Sequence, residues 1–281
     1  MDQKKATELA LVSAKVRKTA MQMVFEADSG HLGGSMSATD ILSVLYFDKM
    51  NIDPKNPKDP NRDRFVLSKG HCTPAMYPIL AYRGFFPVED LKHFRDIDSY
   101  LSGHVEMKYV PGVDMSAGSL GQGFSCAVGM ALAAKIDKKD YHTYCILGDG
   151  EIQEGQIWEA AMAAGHFKLD NLTVFVDNNK LQIDGTVEDV MSVYPIDEKF
   201  ASFGFHVIEI DGHDIMAISD AIDKALSLKD KPVAIIASTI KAKGVSFMEN
   251  DVQWHGNTPS EEQYKAGVAE LDAVIAELEG K

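Results

Sequence analysis

The sequence predicts an α/β chain built on a doubly wound, mainly parallel sheet with helices on both faces. Three observations carry this. Short apolar, β-prone runs at 65–68, 144–147, 172–177, 206–210 and 232–239 alternate with stretches of helical spacing. The two central runs stop abruptly at polar turns, Gly148-Asp149-Gly150 and Asn178-Asn179. Twenty-seven residues separate Gly150 from Asn178, which is room for one crossover helix over 154–165 between neighbouring parallel strands.

The other elements follow in order. Residues 4–27 have helical periodicity, with Leu9, Val12, Val16, Ala20, Met23 and Val24 near one stripe. Three glycines within 28–35 interrupt it and put His31 in a loop. Ser37-Ala38-Thr39-Asp40 reads as a helix start, with a carboxylate near the positive end, ahead of an apolar helix over 41–47. Residues 51–64, rich in proline and charge, form a solvated connection to the 65–68 strand, which delivers Lys69 and His71 at its end. A helix over 74–83 stops at Gly84, and 85–94 supplies a shorter helical piece. Residues 99–122 form the longest stretch without periodicity; loops of that length inside a compact chain are usually functional or disordered, and His104 with a glycine cluster favours function here. Helices are expected over 123–136, 196–203 and 214–228, with loop over 241–256. Thr258-Pro259-Ser260-Glu261 reads as a capping box that opens a last helix running to the C-terminus. One α/β domain over 1–281 is expected, with 241–281 as its C-terminal loop and helix extension.

Composition narrows the function classes. At 45% hydrophobic over 281 residues the chain can bury a large core. A net charge of −14 argues against nucleic acid or an anionic membrane as partner. Cys72, Cys126 and Cys145 have no metal-type spacing and read as free thiols of a reduced compartment. The N-terminus lacks the compact apolar run of a signal peptide, and no segment approaches a membrane span, so a cytoplasmic protein is expected.

The chemistry gathers at the strand ends. Parallel neighbours bring their C-terminal ends together, so Asp149 and Asn179 can both offer oxygens to one hard cation. Mg2+ usually keeps substrate phosphates among its ligands, so a sparse protein contribution suits a phosphate-bridging site. Both turns are also ordinary turn sequences, and taken alone they leave a plain structural role open. Five of the nine histidines directly follow a glycine: His31, His71, His104, His166 and His213. Any one of them could be a surface loop residue. His166 ends a helical pattern and His213 lies in a strand-to-helix turn, and both read as structural.

Gly148-Asp149-Gly150, the intervening length and Asn178-Asn179 together resemble the thiamine diphosphate motif, and the surrounding blocks resemble the transketolase family. These blocks are Ser29-Gly30-His31, Ser68-Lys69-Gly70-His71, Gly103-His104-Val105-Glu106, Gly118-Ser119-Leu120-Gly121-Gln122-Gly123 and Trp254-His255-Gly256, with 148–155 and 177–185, in the family's order. The resemblance implies a metal held by Asp149, Asn179 and the Leu181 carbonyl. It implies cofactor contacts from Lys69, His71, Gly118, Leu120, Gly150, Glu159, Asn179, Ile183, Lys241 and His255. Catalytic roles are implied for His31, His104, His255 and Glu154, with His31 and His104 addressing the substrate carbonyl and hydroxyls. Imidazole titrates near neutrality, which suits proton exchange with a sugar hydroxyl. The Gly150 N–H is expected to reach a phosphate oxygen, and Lys69 and Lys241 to balance phosphate charge. Glu154 and Glu159 could simply stabilise a helix N-terminus, but in the family the matching acids lie at the subunit interface. Val105 stands where many relatives have proline, and Asn178 where several have another polar residue.

Full-length members of the family continue into a second α/β domain, whereas here one helix follows His255. The chain therefore resembles the N-terminal subunit of a split transketolase. The resemblance implies thiamine diphosphate and Mg2+ as cofactors, with Ca2+ or Mn2+ as substitutes, and sugar phosphates as substrates. It also implies a separate C-terminal subunit in an α2β2 heterotetramer, transferring a two-carbon ketol unit. Two other readings remain: a different thiamine diphosphate enzyme, such as one like 1-deoxyxylulose 5-phosphate synthase, and a non-catalytic cofactor-binding relative.

Overall fold

In the computed structural model, residues 1–280 are described. Strands β1 (Arg64–Leu67), β2 (Thr143–Gly148), β3 (Leu172–Asn178), β4 (His206–Asp211) and β5 (Val233–Ser238) form one sheet in the order β1-β2-β3-β5-β4, with every pairing parallel. The helices are α1 (Gln3–Glu26), α2 (Gly33–Val44), α3 (Thr73–Arg83), α4 (Gln122–Ile136), α5 (Gly155–His166), α6 (Val187–Met191), α7 (Ile196–Ser202), α8 (Ile215–Ser227) and α9 (Glu261–Glu279).

Both faces of the sheet are covered, and strand periodicity divides the core in two. Tyr144 and Ile146 of β2, Phe175 of β3, and Val233 and Ile235 of β5 pack with α1, α2, α3 and α8. Their neighbours Cys145, Leu147, Val174, Val176, Ala234 and Ile236 point the other way, against α4, α5 and α7. This is why the central strands read as continuous apolar runs rather than alternating ones. α9 lies along α1, where the Phe25 and Tyr264 rings stack with centroids 4.2 Å apart. No helix among the described residues is long and apolar enough to cross a membrane.

Three local expectations need correction. α2 begins at Gly33, not at Ser37, so Asp40 lies in the helix interior and caps nothing. All twelve residues of α2 are buried, and packing decides its start. A Cβ on Gly33 would come within 2.8 Å of the Lys241 side chain, so glycine is what lets the first turn sit against that lysine. The last helix is capped by Ser260 and Gln263 and not by Thr258 and Glu261. The Ser260 hydroxyl accepts from the Gln263 N–H at 3.2 Å, and the Gln263 amide accepts from the Ser260 N–H at 2.9 Å. Thr258 Oγ1 donates instead to Asp28 at 2.8 Å. Lys281, the expected end of that helix, lies outside the described residues. α6 is not among the expected helices, although Thr186 caps it by accepting from the Asp189 N–H at 3.0 Å, a sequence signal in plain view.

Asp40 is the buried hub that ties α1, α2 and the β4–α8 turn together. Its carboxylate accepts from Arg17 at 3.0 and 2.6 Å and from His213 Nδ1 at 2.8 Å, while His213 Nε2 accepts from the Ile240 N–H at 2.8 Å. Burial alone would raise the Asp40 pKa; the Arg17 guanidinium and the His213 hydrogen bond outweigh it and hold the carboxyl well below the usual range. Breaking a buried pair on one side costs about 3–5 kcal/mol, because the remaining charge is stranded. We therefore expect Arg17→Ala to lose about that much in denaturant unfolding. The depressed folded pKa stabilises the fold above the unfolded carboxyl value and is lost as the pH falls toward the folded one, so wild type should lose stability in acid more steeply than the variant. Equal acid slopes would remove Asp40 from the account.

Candidate active site

The ends of β2 and β3 are held level. Gly148 pairs with Asp177 in register, and the Asp149 N–H donates to the Asp177 carbonyl at 3.3 Å, so Asp149 and Asn179 emerge side by side. Asp149 is only 2% exposed, and its oxygens accept from the Gly150 N–H at 2.8 Å and from the Lys180 N–H. Burial, and next to it the Asp177 carboxylate, push its carboxyl up to about 7. The Asn179 Oδ1 accepts from the Leu181 N–H at 3.1 Å, and the Leu181 carbonyl accepts from the Lys241 ammonium at 3.3 Å. Carboxylate, amide oxygen and peptide carbonyl make an all-oxygen donor set of the kind hard cations choose. It holds one ionisable ligand, and among the described residues no cluster of three His, Cys, Asp or Glu side chains could hold a metal. A cation taking its other ligands from a diphosphate and water fits these residues; a protein-caged metal does not.

Two lysines meet this corner in different ways. Lys69 is buried and pairs with Asp177, and it also donates to the Gly34 carbonyl at 2.7 Å. Ser37, at 2.6 Å, and Thr239 donate to the same carboxylate. The charge of Lys69 is thus committed to a protein carboxylate. Lys241 is 1% exposed, bonds His255 Nδ1 at 2.9 Å, and is pushed down to about 8, chiefly by burial. The Gly150 N–H, expected at a phosphate oxygen, donates in this structure to Asp149 at 2.8 Å.

Four histidines face one another above the strand ends. Ring centroids lie 5.0 Å apart for His31 and His71, 5.5 Å for His31 and His255, 5.4 Å for His71 and His255, and 6.2 Å for His31 and His104. Burial, followed by neighbouring positive groups, lowers His31 and His71 to about 4 and His255 to about 3, and His104 shifts the same way. His31, His71 and His255 are therefore neutral at pH 7, because partly desolvated imidazoles this close to one another and to Lys241 or Arg95 resist a further charge. Lys241 donates to His255 Nδ1, which leaves Nε2–H as that ring's donor. Arg95 plays the matching part at His31, 3.5 Å from Nδ1, while also donating to Ser29 Oγ at 2.6 Å.

These groups line a cavity of about 380 Å3. It takes in His31, Lys69, His71, His104, Gly118, Leu120, Asp149, Gly150, Glu154, Asn179, Leu181, Ile183, Lys241 and His255. Among the residues expected at the site, Glu159 is the exception. It stands exposed on α5, after the extended N-cap residue Glu154, and does not line the cavity.

Residues 8–271 match the family model described as transketolase, thiamine diphosphate binding domain. The chain belongs to the transketolase family. It is 47% identical to a 6-deoxy-6-sulfo-D-fructose transketolase subunit of a Clostridium species, over 92% of this chain and 94% of that one. It is 44% identical to an apulose-4-phosphate transketolase subunit of Phocaeicola vulgatus, over 96% of each. The transketolase structure from Campylobacter jejuni superposes with a TM-score of 0.89 at 34% identity, covering 99% of this chain and 46% of that one. The chain thus spans less than half the length of that transketolase and nearly all of the two subunits.

Several residues of this transketolase site carry no signal of their own in the sequence. Asp177, Ser37 and Thr239 form the buried knot around Lys69, and Gln153 and Gln182 join across the cavity wall at 2.7 Å. Arg95 reaches the site from a residue with φ of 64°. Glu151 is the most consequential. Its buried carboxylate accepts from Ser68 Oγ, from the Gly121 N–H at 2.9 Å and from the Gly148 N–H at 3.0 Å, tying the glycine loop to the ends of β1 and β2. Only its place beside Gly148-Asp149-Gly150 marks it. The loop is also held from behind, since a Cβ on Gly70 would lie 1.9 Å from the Ala117 carbonyl oxygen. Gly118, by contrast, has open space where a Cβ would stand, and it presents bare backbone to the cavity. Glu151→Ala leaves three donors without their acceptor, at about 1–3 kcal/mol for each buried group left unpaired. We expect it to lower the melting temperature and to weaken thiamine diphosphate binding at least tenfold, measured by calorimetric titration. Unchanged affinity would show that the loop holds its shape without Glu151.

Proposed function

We propose that this chain is the thiamine diphosphate-binding subunit of a two-chain transketolase that moves a two-carbon ketol unit between sugar phosphates. The observation that carries this is the convergence of Asp149, Asn179 and the four histidines on one cavity, in a chain matching transketolase subunits over nearly their full length. Asp149, Asn179 and the Leu181 carbonyl would hold Mg2+ against the diphosphate, and Ca2+ or Mn2+, which take oxygen ligands too, would substitute. When bound, thiamine diphosphate supplies the carbon nucleophile and the electron sink for breaking and remaking a carbon–carbon bond.

The protein's share is position and proton handling. Gly118 and Leu120 offer backbone to the aminopyrimidine, and Ile183, 62% exposed at the cavity mouth, packs against the thiazolium. Lys241 turns its ammonium toward the diphosphate corner. His71 and the Nε2–H of His255 donate to phosphate or sugar hydroxyls. His31, its Nδ1 facing the Arg95 guanidinium, would donate from Nε2–H to a developing alkoxide, and His104 would exchange a proton with a sugar hydroxyl. Glu154, exposed at the open side of the cavity, and Glu159 beyond it lie where a second subunit would cover them. The partner is the C-terminal half of the split transketolase, and the two chains assemble as an α2β2 heterotetramer in the cytoplasm. The chain acts as a single α/β unit, with 241–281 as an extension that carries Lys241 and His255.

Mixing the chain with its candidate partner and assaying ketol transfer from xylulose 5-phosphate to ribose 5-phosphate tests this. Apulose 4-phosphate and 6-deoxy-6-sulfofructose serve as further donors, since relatives are named for these sugars. Turnover should require both chains and a divalent cation. Asp149→Ala should abolish Mg2+-dependent binding of thiamine diphosphate. His31→Ala and His104→Ala should each lower kcat/KM by about 10²–10⁴-fold while cofactor affinity is kept. Cofactor binding without turnover of any donor would overturn the enzymatic reading.

A further inference from the structure

A second polar cavity, of about 410 Å3, lies at the opposite edge of the sheet, where β2 and β3 begin. Its lysines come from separate parts of the chain: Lys49 after α2, Lys135 and Lys139 at the end of α4, and Lys229 after α8. In a chain with a net charge of −14, four lysines around one cavity stand against the general field. Lys49 is paired with Asp223 at 2.7 Å and Lys135 with Asp170 at 2.6 Å. Lys139 and Lys229 have no carboxylate within ion-pair distance among the described residues. The acids on the wall are mostly committed elsewhere. Asp63 accepts from the backbone N–H groups of Asn51 and His142 at 2.8 Å each, and Asp170 accepts from the Asp230 N–H as well as from Lys135. Asp140 alone stands exposed at the rim.

The floor of the cavity adds an independent observation. Tyr144 is 1% exposed, and its hydroxyl has no hydrogen-bond partner; the Asn171 Oδ1 is likewise buried and unpaired. The Asn171 Nδ2 donates to the Ala131 carbonyl at 2.9 Å, while its Oδ1 is an acceptor that needs a donor. His142, its ring centroid 4.6 Å from that of Tyr144, spends Nε2 on Thr173 Oγ1 at 2.8 Å. Buried polar groups in folded proteins are paired, and two unpaired on one cavity wall call for a ligand that carries hydroxyls. Lys139 donates only to the Pro60 carbonyl and Asn61 Oδ1 at 3.4 Å each, and Lys229 to the Leu226 carbonyl at 3.2 Å, so neither charge is neutralised by a carboxylate; two such ammonium groups call for an anion, and Lys suits phosphate as a point charge.

We propose that this cavity is a second ligand site, remote from the reaction, that takes a small phosphorylated polyol. The phosphate lies between Lys139 and Lys229, and the hydroxyls reach Tyr144 and Asn171. β2 runs from this floor to Asp149, so occupancy here and at the cofactor end bears on opposite ends of one strand.

Calorimetric titration of the full chain with glycerol 3-phosphate and with inorganic phosphate tests the assignment. Glycerol 3-phosphate should bind saturably and more tightly than inorganic phosphate. A Lys139→Ala/Lys229→Ala double variant should lose at least tenfold in affinity for both, while Lys241→Ala, at the other cavity, binds as wild type. Tyr144→Phe should weaken glycerol 3-phosphate severalfold and leave inorganic phosphate unchanged. Circular dichroism melting confirms that each variant is folded. The proposal is overturned by no saturable binding up to about 10 mM, by wild-type affinity in the double variant, or by loss of binding in Lys241→Ala instead. Equal affinity for the two probes overturns the polyol assignment.

Discussion

The constraint on which the site depends is the level pairing of β2 with β3. A parallel ladder allows no sliding by one residue, because each slip would exchange the two apolar faces that α1, α2, α3 and α8 cover on one side and α4, α5 and α7 on the other. The hydrophobic core therefore sets where the strands end relative to one another. Gly148 stands beside Asp177, and Asp149 and Asn179 leave the sheet together. A cation site of the proposed kind, made of so few protein oxygens, would need that precision.

Around this edge the chain spends buried charge in pairs. Asp177 takes Lys69, Ser37 and Thr239, and Asp40 takes Arg17 and His213. Asp149 is left with main-chain donors only, and the carboxylate of Asp177 next to it raises its pKa further. The contrast between satisfied and unsatisfied carboxylates separates structure from function here. A group held at the strand ends by peptide N–H donors, without a cationic side chain bonded to it, suits the cation proposed above.

The histidines follow a related logic. Their spacing would be costly were they charged, and burial with Lys241 and Arg95 close by keeps His31, His71 and His255 neutral. A neutral ring held at one nitrogen offers a defined donor or acceptor at the other, which is more useful toward a sugar hydroxyl than a mobile cation. Relatives of the same length carry transketolase subunit names with different sugars. The cavity is open on the side of Glu154 and Ile183, so sugar choice falls partly to whatever covers that side.

Much of this was legible from residue order alone. The five strands, their parallel pairing, the two polar turns and the glycine-linked histidines are local patterns, and local patterns follow from backbone sterics and burial periodicity. Motif blocks in order pointed to the family for the same reason. What remained hidden depends on which distant segments meet. Asp40 looked like a helix-start residue, and burial of all of α2 made it a hub for Arg17 and His213. Lys69 looked like a phosphate partner, and Asp177 from β3 claimed it. Glu159 looked like a neighbour of Glu154, yet only Glu154 lines the cavity. Arg95 and Glu151 sit in no periodic pattern, and only the packed chain brings one to His31 and the other to the glycine loop. Sequence determined the elements and the chemistry available at their ends; tertiary structure decided which charges are already spent, because pairing and desolvation are properties of neighbours in space.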